Sequence, residues 1–328
     1  MQSVTQRPLR TSRPAATPPH RHAFSLIELM VVIVIIAILM SLLLAGVRGA
    51  MGTARNATVT VEFKNIEKAI VDFKAKYGAE PPSGIVLFEA PAGWTGSSPS
   101  VAAVNRSRAL VRQIWPDFDF SVPRDINGDG DSTDTITLSG AECLAFFLGG
   151  VPTPTGNAET PWALTGFSVN GENPFFRGGA RSGPFYQFSP ERLMNVDGTS
   201  DTEFMPEYRD SLPGQRNPIL FASSYGGRGY RDADVQLTSQ PVYDVYATLP
   251  TAFAYYYRRY TGTYPATIAN FTAAPAFNPT TFQLISPGMD GEYGWGGVLD
   301  TGMELREPRA ERAFERDNIT NFKGGTIN

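Results

Sequence analysis

Histidine is almost absent from this sequence. His20 and His22 are the two present, and both precede the long apolar run. Residues 24–328 therefore lack the commonest general base and the commonest metal ligand. A hydrolase would have to rely on Asp and Glu pairs, and no pair stands out by its spacing. Cysteine is as scarce: Cys143 is alone, so no intrachain disulfide can form. It lies in an apolar stretch with no basic neighbour, which reads as a buried structural thiol. Charged residues are only 18% of the chain, but aromatics reach 12%, a balance that excludes a disordered chain. The formal net charge of −4 does not suggest nucleic acid as a partner. Glycine and proline are plentiful, with Gly 32 and Pro 26, which predicts many turns and irregular connections.

What the chain does have is one long apolar run. Residues 29–40 are uninterrupted, and the run continues past Ser41 to Ala45. As helix this is roughly 25 Å at ~1.5 Å per residue. Phe24 to Ile27 extend it towards the span of a bilayer core. Glu28 is out of place there. An acidic residue at a helix centre costs about 2.5–3.5 kcal/mol on the insertion scale. The sixteen Leu, Ile, Val and Phe side chains of residues 24–47 oppose it. Each contributes about −0.3 to −0.6 kcal/mol, so insertion still wins. An ionisable residue in such a segment points to function. A removable secretory signal would have a shorter core and a small-x-small site after it. A plain anchor leaves Glu28 unexplained.

The segment Ala23-Phe24-Ser25-Leu26-Ile27-Glu28, followed by the apolar run, resembles the type IV prepilin signal for cleavage and methylation. That class includes type IV pilins and the pseudopilins of type II secretion. The resemblance implies that a prepilin peptidase/methyltransferase cuts between Ala23 and Phe24 and N-methylates Phe24. It makes Glu28 the assembly glutamate. The family usually has Gly before the cut, where this chain has Ala23. Cleavage would remove a leader, residues 1–23, that carries Arg7, Arg10, Arg13 and Arg21 and no acid, taking the net charge from −4 to −8. These arginines favour an amino end held inside. Arg48, Arg55 and Lys64 on the far side weaken that bias, so the orientation rests mainly on the motif. The implied location is the inner membrane, single-pass, with the rest of the chain periplasmic. The implied partners are the peptidase, further copies and other pseudopilins.

The implied fold is α+β and pilin-like. A long amino-terminal helix, membrane-inserted over residues 24–47, continues outside over 48–78. It packs on a carboxy-terminal antiparallel sheet in a globular part, 79–328, with a large loop-rich insertion at about 84–214. The residues agree where they can be read. Phe63, Ile66, Ile70, Phe73 and Tyr77 recur at three- and four-residue steps. Glu62, Lys64, Asn65, Glu67, Lys68, Asp72, Lys74 and Lys76 mostly take the other face. Gly78 and Pro81-Pro82 predict the end. Gly46, Gly49 and Gly52, then Thr58 to Val61, predict bending or local melting. A short helix is expected at 106–115, and another from the capping box Ser139-Gly140-Ala141-Glu142 to Gly149-Gly150. Strands are expected at 218–225, 244–248, 253–260 and 282–286.

Three short segments resemble type II secretion major pseudopilins in order along the chain. Gln215-Arg216-Asn217-Pro218 is similar to their strand entry, Gly288-Met289-Asp290-Gly291 to their Gly-x-Asp-Gly turn, and Asp317-Asn318-Ile319 to their Asp-Asp-Ile tail. In that family, calcium is held near the carboxyl end by loop aspartates and carbonyls. Carried over, the ligands are Asp290 and Asp317, with Glu292 added from spacing; the competing reading is solvated acids on glycine-rich turns. A second acidic stretch has Asp125, Asn127, Asp129, Asp131 and Thr133 at the odd positions of a calcium loop, with Gly at the sixth. Its twelfth position is Ile136, so a complete EF-hand is excluded; the competing reading is a surface loop rich in Asx turns.

Together these features predict a non-enzymatic structural subunit of a type II secretion pseudopilus or a type IV pilus-like filament, with Ca2+ as the one candidate cofactor. The other readings are a minor tip subunit that binds cargo and a membrane-tethered enzyme or binding protein.

Overall fold

A computed structural model describes residues 25–157, 160–195, 205–231, 234, 256–260, 274–293, 297–300 and 314–327. Ala23, Phe24 and the expected strand at 244–248 lie outside them. Two compact units divide the chain, residues 1–51 and 52–328.

Helix α1 runs from Leu26 to Tyr77, 52 residues without a break. The Ser25 carbonyl accepts the Leu29 N–H at 3.1 Å to start it. Ser41 donates its hydroxyl to the Ile38 carbonyl at 2.7 Å, so a polar side chain is satisfied inside the apolar run. Gly78, at φ +71°, ends the helix by donating to the Lys74 carbonyl at 2.9 Å. The expected melting between Gly46 and Val61 does not occur. Each helical glycine costs only about 1 kcal/mol relative to Ala. Thr58 and Thr60 direct their hydroxyls at the carbonyls of Ala54 and Asn56, both at 3.0 Å, and Val59 is buried.

In the second unit, the apolar stripe of α1 is core. Val59, Phe63, Ile66, Ala69, Ile70 and Phe73 are all buried. Phe73 meets Tyr77, Phe185 and Phe147 edge-on or tilted, with ring centres at 4.7, 5.3 and 5.9 Å. Phe147 belongs to α3, Gly140–Gly149, buried on every side. The Glu142 carboxylate accepts the Ser139 N–H at 2.6 Å and the Ser139 side chain accepts the Glu142 N–H, so the expected capping box is present. A Cβ at Gly140 would strike the Phe221 carbonyl, so this close approach of helix to strand requires glycine. The Cys143 thiol is fully buried and its pKa is pushed well up by that burial, as a structural thiol should be. The stretch expected to be an insertion thus supplies a central helix of the core.

Four antiparallel strands lie side by side in the order 325–326, 319–320, 282–286, 220–223. Leu284 stands opposite Phe221, and Ile285 opposite Leu220. Alternate residues face two cores. Phe221 and Leu284 join the α1–α3 cluster, while Leu220 and Ile285 join Tyr257, Phe277, Tyr293 and Ile327. Both faces being covered, the 282–286 strand is buried throughout. Its Gln283 survives there by bonding main chain: Nε2 donates to the carbonyls of Tyr257 and Phe277 at 2.9 and 2.8 Å, and Oε1 accepts the Tyr257 N–H at 2.8 Å.

The architecture is α+β and consistent with a pilin-like fold, with additions. Strand 257–260 pairs with 297–300 in parallel, unlike the other strand pairs among the described residues. Ile85–Phe88 and Thr135–Leu138 form an antiparallel pair that was not anticipated. Helix α2 starts at Val101, earlier than expected, because Ser100 caps it by accepting the Ala103 N–H at 3.1 Å; it ends at Ile114.

Candidate functional site

The first candidate is the amino-terminal half of α1. From Leu26 to Leu44 every large apolar side chain is exposed, and none of the apolar span is buried. The helix is long and apolar enough there to cross a membrane. Glu28 lies exposed in its first turn, where a carboxylate suits the positive end of the helix dipole.

A second acid on α1 is placed differently from expectation. Glu62 sits on the buried side, 7% exposed, rather than on the polar face. Arg192 grips it through two nitrogens at 3.0 and 2.7 Å, and the Tyr186 and Tyr208 hydroxyls each donate to it at 3.1 Å. The Arg192 guanidinium also lies 4.5 Å from the centre of the Tyr208 ring. Burial, then the Glu62 charge, pushes the Tyr186 hydroxyl up to about 12. The signal in the sequence was phase: position 62 is three residues after Val59 and four before Ile66, both core positions.

The three pseudopilin-like segments meet around one turn. Asp317 Oδ2 accepts the N–H groups of Met289 and Asp290 at 2.6 and 3.0 Å. Gln215 Nε2 donates to the Gly288 carbonyl at 3.2 Å, and Asn217 Nδ2 to the Gly291 carbonyl at 2.6 Å. Gly288, at φ +71°, leaves no room for a Cβ against the Asp317 carbonyl. Asp290 Oδ1 accepts the Glu292 N–H at 2.8 Å. Burial pushes the Asp290 carboxyl up to about 6, helped by the charges of Asp317 and Glu292. Asp317 Oδ1 is enclosed and has no partner among the described residues. An orphaned carboxylate oxygen beside a second acid fits a hard cation, so Asp317 and Asp290 are the residues that would hold calcium.

The 125–134 loop is a chain of Asx turns. Asp125 takes the Gly128 N–H at 2.6 Å, Asn127 that of Asp129 at 3.2 Å, Asp129 that of Asp131 at 2.9 Å, and Asp131 that of Thr133 at 2.8 Å. Arg177 pairs with Asp125 at 3.2 Å and donates to the Asp125 and Ile126 carbonyls. Sequence reasoning missed Glu89, which comes from the end of the 85–88 strand. Its carboxylate accepts from Ile126 and Asp134 N–H groups at 2.5 and 3.2 Å. Glu89, Asp131 and Asp134 each bring one oxygen within 4.8 Å of the others. Asp290, Glu292 and Asp317 form no such trio. Burial pushes Glu89 up to about 7 against the pull of its backbone donors.

The family described as the prokaryotic N-terminal methylation motif matches residues 18–44. No curated protein and no solved structure matches the chain. The motif supports a type IV pilin- or pseudopilin-like protein, processed by a prepilin peptidase and associated with a membrane through one amino-terminal helix.

Proposed function

We propose that the protein is a structural, non-catalytic subunit of a pilin-like filament, either a type II secretion pseudopilus or a related pilus. In this reading the leader is cut between Ala23 and Phe24, Phe24 is N-methylated, and residues from 49 on stand outside the membrane. The observation that carries it is the exposed apolar surface from Leu26 to Leu44 with Glu28 in its first turn. Buried apolar area is worth about 25 cal/mol per Å². A surface this size therefore needs a cover, first the bilayer and then the same helix of other copies. A charged terminal amine and Glu28, each alone in an apolar bundle, would cost several kcal/mol per ion. Pairing them between neighbouring copies offsets much of that cost and sets one axial stagger.

Mass spectrometry of assembled material tests the reading. The expected first residue is N-methyl-Phe24. A retained Met1 leader, or a start near Ala50, overturns it in favour of a tethered protein or a cleaved signal.

A further inference from the structure

Helix α2 carries Arg106, Arg108 and Arg112 and no acid. Among the described residues, none of the three lies within ion-pair distance of a carboxylate. Two of them are held in place from below. The Arg108 and Arg112 guanidinium groups lie over the Phe120 ring, 4.8 and 5.2 Å from its centre, and Arg108 donates to the Trp94 carbonyl at 3.2 Å. Arg108 Nε is enclosed without a partner. Arg108 borders an open depression of about 460 Å³, lined also by Trp94, Ser97, Val101 and Asn105, and Arg112 shares the Phe120 ring with it. Val101 is 58% exposed at its rim. Arg106 is turned to the Asp234 charge, whereas Arg108 and Arg112, held over one ring at the edge of a hollow, present a surface for an acidic partner.

The same chain displays the complement. Asp129 and Asp131 are exposed at the tip of the 125–134 loop, beside Gly128 and Gly130, which have positive φ. Among the described residues, no lysine or arginine pairs with Asp129, Asp131 or Asp134, since Arg177 is engaged with Asp125. After burial, the charges acting on Asp134 are Asp131 and Asp129, and both repel its ionised form. The loop thus carries exposed carboxylates with no ion pair among the described residues, and the edge of the α2 hollow carries Arg108 and Arg112, likewise without one.

We propose that the α2 depression receives the Asp129–Asp131 tip of a second copy, with Arg108 and Arg112 facing the two carboxylates. The two surfaces differ, so the contact is head-to-tail, and repeated head-to-tail contacts build open assemblies instead of closed pairs. This rests on the filament reading, and it names a contact between globular parts, separate from the apolar helix. Exposed charge pairs are screened by salt, so the contact weakens as ionic strength rises.

Cross-linking tests it, because Cys143 is the single native cysteine and is fully buried. The full-length chain carrying Asn105→Cys and Ser132→Cys is assembled, imaged, and treated with a short bismaleimide. A ladder of dimer, trimer and higher species is expected, and neither single variant should give one. Arg112→Glu should reduce the ladder roughly fivefold, and adding Asp129→Lys should restore it. Filaments that form without a ladder overturn the contact and leave the filament reading standing. A product that stops at dimer overturns the head-to-tail arrangement. No filaments from the unaltered chain overturns the filament reading and this contact with it.

Discussion

Helix α1 holds two acids in apolar settings, and they are treated in opposite ways. Glu62 is enclosed by Arg192, Tyr186 and Tyr208, so its charge is satisfied within the chain. Glu28 is surrounded by Leu26, Ile27, Leu29 and Val32, all exposed, with a hydrogen-bonding partner nowhere among the described residues. The apolar side chains divide in the same way. Those from Val59 to Phe73 on the stripe are core, and those from Leu26 to Leu44 are exposed. One half of the helix is completed by its own chain. The other half leaves its apolar side chains exposed, and the two halves should respond differently to the same kinds of substitution.

The largest difference should come from apolar truncation. Phe73→Ala removes a fully buried ring from contacts with Phe147, Phe185 and Tyr77, and should cost about 3–5 kcal/mol of unfolding free energy. Ile35→Ala, in the exposed half, should leave that value within about 0.5 kcal/mol. Denaturant unfolding of the full chain in detergent measures both. Equal effects would erase the distinction between the halves.

Next come the two glutamates. Glu62→Leu leaves the half-buried Arg192 guanidinium beside two tyrosines without its counter-charge, and should cost about 3 kcal/mol. A double variant that also has Arg192→Leu should recover part of this. Glu28→Leu should leave folding, membrane insertion and leader removal unchanged but lose filaments, with Glu28→Asp intermediate because its charge remains on a shorter reach. Normal filament yield from Glu28→Leu, without a wild-type copy, would sink the assembly role of Glu28.

Much of this division can be read from the residues alone. The spacing of Phe63, Ile66, Ile70 and Phe73, the stop at Gly78, the Ser139–Glu142 cap and the 282–286 strand are local patterns, and local patterns determine local structure. The partners are not local. Nothing near Glu62 announces Arg192, and nothing near the 125–134 loop announces Glu89; each pairing depends on how distant segments pack. The 85–88 and 135–138 strands escaped notice for the same reason, since a four-residue apolar run means little until its partner is known. The three pseudopilin-like segments were individually weak and meet around a single turn, through Asp317, Gln215 and Asn217.

A pH experiment sharpens the comparison within the globular part. Glu89 is pushed up to about 7 by burial, so the folded state holds its proton over a range where the unfolded chain has lost it. The sign follows: the folded state binds more protons between about 4.5 and 7, so this group's contribution to stability falls as pH rises through that window and is constant above it. The shift from 4.5 to about 7 corresponds to at most about 3.4 kcal/mol, which solvent screening brings down to about 2 kcal/mol. Glu89→Gln should flatten the slope. A slope that Glu89→Gln leaves unchanged assigns the effect to the other raised carboxyls, Asp134, Asp210, Asp234 and Asp290.

The smallest expected effect is that of calcium. If Asp317 and Asp290 hold the cation, binding at about ten times the dissociation constant adds roughly 1.4 kcal/mol. In a domain of this size that is a melting shift of about 3 °C. Asp290→Ala should abolish the shift. Asp317 is the poorer test, because its Oδ2 already locks the turn through the Met289 and Asp290 N–H groups, and its loss would loosen the fold with or without metal. Protonation supplies a second handle. Asp290 is pushed up to about 6, and a cation must displace that proton, so the calcium effect should be full at pH 7.5 and much reduced at pH 5. The Glu89 effect runs the other way, with the fold gaining stability as pH drops. A melting temperature that stays constant across a calcium titration at pH 7.5 removes calcium from this turn and leaves Asp317 as a purely structural clasp.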